Sequence, residues 1–193
     1  MITGLFFGSF NPIHVGHMII ANHMLQNGLS DVWFVVSPHN PLKEKKSLLA
    51  TSHRLYMTKI AVEDNPRFKV SDIETKLPQP SYTVNTLAHL REKYPNKQFA
   101  LIMGLDNLLT FHKWKNPDEI LKHHKIIVYA RAGENMNQDN RKFVNHPNVQ
   151  ILDTPLMDVS STYIRGAIAN GKDVRYLVTE PVYHYLNEMN FYK

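Results

Sequence analysis

Short, continuous apolar runs separated by helical stretches constrain this chain more than any other feature. Residues 2–7, 31–37, 98–103 and 125–130 are each apolar on consecutive positions rather than on alternate ones. A strand that is apolar on both faces belongs inside a parallel sheet, with helices covering each side. Shorter runs at 67–71 and 149–152 extend the set. Helical patterns lie between them: 15–25, stopping at Asn27-Gly28; 51–64, opening on Thr51 or Ser52 as cap; 84–93; and 117–122. Two further helices, at 161–169 and 181–188, close the chain. The pattern predicts a doubly wound, Rossmann-like α/β fold: a parallel sheet with helices on both faces and a C-terminal helical segment. In such sheets ligands bind beyond the carboxyl ends of the strands, where strand order reverses, so the loop after the first strand is the place to look.

A length of 193 residues fits one domain over 1–193, and 43% hydrophobic with 20% charged residues permits a sizeable core. No apolar run reaches the ~18 residues that span a bilayer, and the N-terminus reads as a strand rather than a signal peptide. Cysteine is absent, which excludes disulfides, thiolate nucleophiles and Cys-based zinc sites. A cytoplasmic protein is expected. The formal charge is +5, yet the densest cationic stretch, Lys43, Lys45 and Lys46, is short and interrupted by Glu44. That distribution favours a small polyanionic ligand over nucleic acid or a membrane surface. Self-association is left open. The polar stretches 38–49 and 133–148 read as loops, the second with few apolar anchors and the character of a mobile excursion. A loop carrying Asp106 and Trp114 is expected after the strand at 98–103.

The loop after the first strand reads Gly8-Ser9-Phe10-Asn11-Pro12-Ile13-His14-Val15-Gly16-His17. Gly8 leaves the backbone bare where the strand ends, so amides can approach an anion. His14 and His17, three apart at a helix start, share one face beside unsatisfied backbone donors. Gly16 removes a side chain from the same surface. The sum is a nest for phosphate oxygens. A capped helix with packing histidines and a zinc-binding histidine pair are the alternatives, although no third zinc ligand is evident.

The Gly8–His17 stretch resembles G-x-F-[DN]-P-x-H-x-G-H, the signature of the nucleotidyltransferase superfamily that includes adenylyltransferases. Its second signature, [IV]-S-[SA]-T-x-[IL]-R, is matched by Val159-Ser160-Ser161-Thr162-Tyr163-Ile164-Arg165. Within that superfamily the chain is most similar to bacterial nicotinate-nucleotide adenylyltransferases, nearly end to end. Pro80-Ser81-Tyr82-Thr83 with Thr86-Leu87 is similar to P-S-Y-T-x-x-T-L, and Met103-Gly104-Leu105-Asp106 through Leu109, Phe111 and Trp114 to [IM]-G-x-D-x-L-x-x-F-x-x-W. Val128-Tyr129-Ala130-Arg131 before Gly133, and Pro181-Val182 with Tyr185-Leu186, extend the likeness.

The resemblance implies transfer of AMP from ATP to nicotinate mononucleotide, giving deamido-NAD and pyrophosphate. It implies His17 on the α-phosphate and His14 on neighbouring phosphates. Ser161, Thr162 and Arg165 would hold the β- and γ-phosphates, with Gly8, Ser9 and Phe10 supplying the backbone loop and Lys43 a further contact. Tyr82, Thr83 and Trp114 would bind the nicotinate nucleotide, with Asp106 on a ribose hydroxyl or acting as a helix cap. Magnesium would be held through the phosphates of ATP, with no protein metal ligands. His17 is expected to be neutral in the free enzyme and more protonated with ATP, because a phosphate charge outweighs the helix terminus. One departure stands out: Leu42 occupies the place of a family histidine in P-P-H-[KR], here Pro38-His39-Asn40-Pro41-Leu42-Lys43. The rival readings are adenylyl transfer to phosphopantetheine or nicotinamide mononucleotide, and a non-catalytic nucleotide sensor.

Overall fold

The computed structural model describes residues 1–38, 48–129, 141–155 and 158–193. Six strands, β1 (Ile2–Gly8), β2 (Asp31–Val36), β3 (Phe68–Ser71), β4 (Gln98–Gly104), β5 (Lys125–Tyr129) and β6 (Val149–Leu152), form one sheet in the order β3-β2-β1-β4-β5-β6. Every pairing is parallel. Strand order reverses between β1 and β4, so the carboxyl ends of these two strands flank the crevice expected of a doubly wound sheet.

Successive side chains on each strand divide between two cores. On one face Phe6, Phe34 and Ile102 pack with α1 (Val15–Gln26), α2 (Thr51–Val62), α7 (Ser161–Ala169) and α8 (Glu180–Glu188). On the other, Leu5, Val35 and Leu101 pack with α3 (Thr83–Lys93), α4 (Leu105–Leu109), α5 (Pro117–His123) and α6 (Arg141–Val144). Burying a side chain such as Leu101 or Phe34 contributes about 1.5–3 kcal/mol. That burial, rather than helix propensity, holds elements as short as α4, which have no stability alone. Among the described residues, no helix is long and apolar enough to cross a membrane.

Three local expectations change. The N-cap of α2 is Ala50, not Thr51 or Ser52. The Thr51 hydroxyl instead accepts from Arg54 Nη2 at 2.9 Å. The segment between β4 and Trp114 is not a loop: α4 and a 3-10 turn over Phe111–Lys113 occupy it. Leu105, Leu108 and Phe111 recur every third residue and are all buried, which is the helical signal that intervening polar residues conceal. Part of the polar 133–148 stretch is ordered as α6, anchored by buried Phe143; residues 130–140 lie outside the described set, as do 39–47 with Lys43 and Leu42.

Candidate active site

Beyond Gly8 the backbone turns through Phe10, whose φ of 45° is left-handed and unusual for a side chain of this size. Its buried ring stands edge-on to Phe6, Phe34 and His17, with the His17 centroid at 5.0 Å. The ring occupies the space a Gly8 side chain would need, since a Cβ there would lie 2.8 Å from Phe10 Cζ. Gly8 is therefore required by the aromatic ring as well as by the loop it opens.

His14 is the extended N-cap of α1. Its backbone N–H donates to Nδ1 of His17 at 3.2 Å, and the two imidazoles stack with centroids 3.7 Å apart and planes tilted by 33°. Because Nδ1 of His17 accepts, the proton of a neutral ring sits on Nε2. A side chain at Gly16 would press within 3.0 Å of His14 Nδ1, so the glycine leaves room for the stacked pair. One helix-terminal donor is already used: the Val15 amide bonds Leu177 O at 3.0 Å.

The second signature is folded onto this loop from the far end of the chain. Ser160 caps α7 by accepting from the Tyr163 amide at 3.2 Å. The Ser161 hydroxyl donates to Pro12 O at 2.9 Å, and Arg165 donates to Asn11 O at 2.9 Å. The longer Arg165–Thr162 contact, at 3.4 Å, is weaker. The structure thus gathers His14, His17, Ser9, Phe10, Ser161, Thr162 and Arg165 around one loop. Ser161 differs from expectation in one respect: its hydroxyl proton is committed to Pro12.

On the other side of Gly8 and Ser9 lies a cavity of about 330 Å³, whose wall includes Phe6, Tyr82, Thr83, Gly104 and Trp114. Thr83 begins α3; the Asn85 and Thr86 amides bond Tyr82 O at 2.9 and 3.1 Å, whereas the Thr83 and Val84 amides precede the first intrahelical bond. The neighbouring Ser81 hydroxyl is buried and, among the described residues, has no hydrogen-bond partner. Asp106, in contrast, is exposed in the first turn of α4 and is not part of the cavity wall, whereas Asn107 is. The carboxylate of Asp106 folds back over Gly104, where any Cβ would collide with its Oδ1.

Several wall residues were not expected. Lys113 and Lys115 flank Trp114, and the Lys115 ammonium sits 4.4 Å from the Tyr82 ring centroid, a cation–π contact. The Lys-Trp-Lys triplet was the available signal. Glu74, 3% exposed, accepts from the Thr86 hydroxyl at 2.8 Å, while its carbonyl accepts from Gln79 Nε2 at 2.7 Å. These bonds pin the segment carrying Ser81 and Tyr82 to α3. Among the described residues, no group of three or more His, Asp or Glu is arranged to hold a metal ion.

Comparison with known proteins agrees with this arrangement. Residues 5–167 match the cytidylyltransferase-like family model. A Flavobacterium psychrophilum protein named "Probable nicotinate-nucleotide adenylyltransferase" is 52% identical across 100% of both chains. A Bacteroides fragilis protein of the same name is 45% identical over 94% of this chain and 89% of its own length. In three dimensions the chain is similar to Plasmodium falciparum nicotinic acid mononucleotide adenylyltransferase complexed with NaAD: the TM-score is 0.82 over 99% of this chain and 97% of that one. Sequence identity there is 18%, so this likeness shows the shared fold. Full-length identity to the bacterial proteins and the stacked histidine pair at the start of α1 lead to one assignment: the chain belongs to the nicotinate-nucleotide adenylyltransferase family of cytidylyltransferase-like proteins.

Proposed function

We propose that this protein transfers the adenylyl group of ATP to nicotinate mononucleotide, forming deamido-NAD and pyrophosphate. The observation that carries the reading is that Gly8 and Ser9 form a wall shared by two unlike halves. One half is a cluster of imidazole and guanidinium donors; the other is an aromatic-walled cavity edged by lysines. A triphosphate suits the first and a pyridine nucleotide the second, with the reacting phosphates meeting at the wall.

In the reaction an oxygen of the acceptor's 5′-phosphate forms a bond to the α-phosphorus of ATP. The bond from that phosphorus to its β-bridging oxygen breaks, and pyrophosphate departs. The attacking oxygen is already anionic, so neither a general base nor a protein nucleophile is required. The work of the protein is alignment and charge stabilisation. His17 donates through Nε2–H to the α-phosphate, and His14 contacts the adjacent phosphates. Arg165 and Thr162 hold the β- and γ-phosphates, with Ser161 contributing its backbone amide. The donors on this side suit phosphate oxygens rather than a cation, so Mg²⁺ would come with the triphosphate of ATP and would supply neutralisation of charge on the departing pyrophosphate.

The acceptor's ring stacks on Trp114. Its carboxylate meets the first-turn amides of α3, the Thr83 and Ser81 hydroxyls, and the positive edge at Lys113 and Lys115. One unit charge at ~4 Å from an ammonium gains about 1–4 kcal/mol between aqueous and partly screened surroundings. A carboxamide gains none of this, so the site favours nicotinate over nicotinamide. We place the reaction in the cytoplasm, on small molecules.

The decisive experiment measures initial rates with nicotinate and nicotinamide mononucleotides side by side, with ATP and Mg²⁺, following pyrophosphate release. A higher kcat/KM for the nicotinate substrate is expected. Equal or reversed values would reassign the acceptor, and release with neither would remove the enzymatic reading.

A further inference from the structure

Arg54, in the first turn of α2, has 0% of its surface exposed, and among the described residues none of its partners is a carboxylate. Nε donates to Leu49 O at 2.9 Å. Nη1 donates to Ser9 O and to Ser37 O, each at 2.7 Å. Nη2 donates to Pro38 O at 2.7 Å and to Thr51 Oγ1 at 2.9 Å. A guanidinium has five N–H groups, so the whole fork is committed. Its acceptors follow β1, follow β2, and precede or open α2. One side chain therefore ties together the three backbone segments behind the phosphate loop.

The bond to Ser9 O has a directional consequence. A trans peptide is planar, with its C=O and N–H pointing in opposite directions. Turning Ser9 O onto the buried guanidinium turns the Phe10 N–H to the opposite side of that peptide. The left-handed φ of Phe10, 45°, is a conformation that persists only where the surroundings over-determine it. Arg54 on one side and the aromatic packing of the Phe10 ring on the other supply that constraint. The guanidinium also carries a charge that its carbonyl partners solvate without neutralising. Burial pushes its pKa down to about 10, so the group remains a cation at neutral pH.

We propose that Arg54 is a positioning residue for adenylyl transfer: it clamps the ends of β1 and β2 so that the Phe10 amide is presented to the transferred phosphate, with an uncompensated positive charge directly behind it. The inference rests on the reading that this loop holds the phosphates of ATP. Lysine keeps the charge but not the planar fork, so it cannot hold carbonyls from three segments at once.

The test combines Arg54→Lys and Arg54→Met with an observation on the unaltered protein. With folded protein verified by circular dichroism and melting temperature, kcat per folded molecule should fall about 100-fold in Arg54→Lys, the scale of losing one oxyanion donor. KM for nicotinate mononucleotide should change far less than kcat, because Arg54 itself is not in the wall of that cavity and reaches it only by holding the Ser9 and Ser37 carbonyls. In the wild type, the Phe10 amide proton should move downfield on adding Mg²⁺ and a non-hydrolysable ATP analogue, a shift lost in Arg54→Lys. A folded Arg54→Lys with kcat within ~3-fold of wild type overturns the proposal, since a merely structural role lowers the melting temperature and spares turnover. So does a wild-type Phe10 amide that ignores the analogue. If both variants fail to fold, the wild-type amide decides alone. A wild type that binds the analogue at Phe10 but makes no dinucleotide would sink the acceptor reading and leave this one standing.

Discussion

The backbone N–H of His14 points at Nδ1 of His17, and the two rings stack with centroids 3.7 Å apart. This contact separates two ways in which a histidine can stabilise a phosphate. An imidazolium would do so by charge, as the sequence suggested on electrostatic grounds. Protonating Nδ1, however, would oppose two N–H groups at 3.2 Å and place a cation against the neighbouring ring. The neutral ring already offers Nε2–H as a donor, at no such cost. We therefore predict that His17 is the neutral Nε2–H tautomer in the free protein and stays so with an ATP analogue bound, as read from its ring ¹⁵N shifts. A doubly protonated ring in the complex would show that charge rather than tautomer is used. His17→Ala should lower kcat about 100-fold without unfolding the protein, the loss expected for one preorganised donor.

At the scale of elements, the joins between helices and strands carry the pH dependence. His124 caps the carboxyl end of α5, is 7% exposed, and places Nδ1 3.1 Å from the Phe99 carbonyl at the start of β4. Burial holds its pKa below the ordinary 6.5, outweighing the opposite effect of the Phe99 carbonyl. Below pH 6.5 the unfolded chain therefore binds a proton that the folded chain refuses. Its contribution to stability is complete above that pH and is lost progressively as pH falls toward the depressed folded value. The melting temperature should drop between pH 7 and pH 5.5, and His124→Gln, which keeps a donor for Phe99, should drop less; parallel curves would show that His124 is not responsible. The elements themselves were legible where one physical signal dominated. The largely apolar runs 2–7 and 98–103 read as buried strands, and the structure has them as β1 and β4. Legibility failed where polar residues serve the interior. Arg54 lies in a polar helical stretch and reads as a surface residue, yet its five acceptors are backbone or hydroxyl oxygens that no sequence pattern announces. For Asp106 the motif marked the segment, and the fold shows in addition that its neighbour Asn107 is the one in the cavity wall.

For the molecule as a whole, the site is closed by the two ends of the chain meeting. The Tyr192 hydroxyl donates to Asn11 Oδ1 at 2.7 Å across a separation of 181 residues. That same oxygen accepts the Leu49 amide at 3.2 Å, and the Asn11 carbonyl accepts from Arg165. Asn11 is thus a junction of the phosphate loop, the segment entering α2, α7 and the C-terminal tail. The two signatures revealed that residues near 10 and 165 converge, because each carries phosphate chemistry. Nothing in the sequence placed Tyr192 between them, since a penultimate tyrosine has no periodic partner. Burial raises the pKa of Tyr192, against the opposing pull of Arg165 and Arg54, so its hydroxyl stays a donor throughout the working pH range. Tyr192→Phe keeps the ring and removes only that donor. Its direct cost should be about 1 kcal/mol of folding stability, the net worth of one hydrogen bond. If the junction also orients Asn11 beneath Arg165, turnover should fall as well, by roughly 3- to 10-fold, since small displacements remote from the reacting atoms are amplified in aligned transfers. Removing Lys193 alone should leave both unchanged, because among the described residues its ammonium bonds to Asn190 within the tail and not to the junction. Thermal denaturation and initial rates on the two variants check the pair. A Tyr192→Phe protein that loses stability with full turnover would confine the tail to holding the fold together.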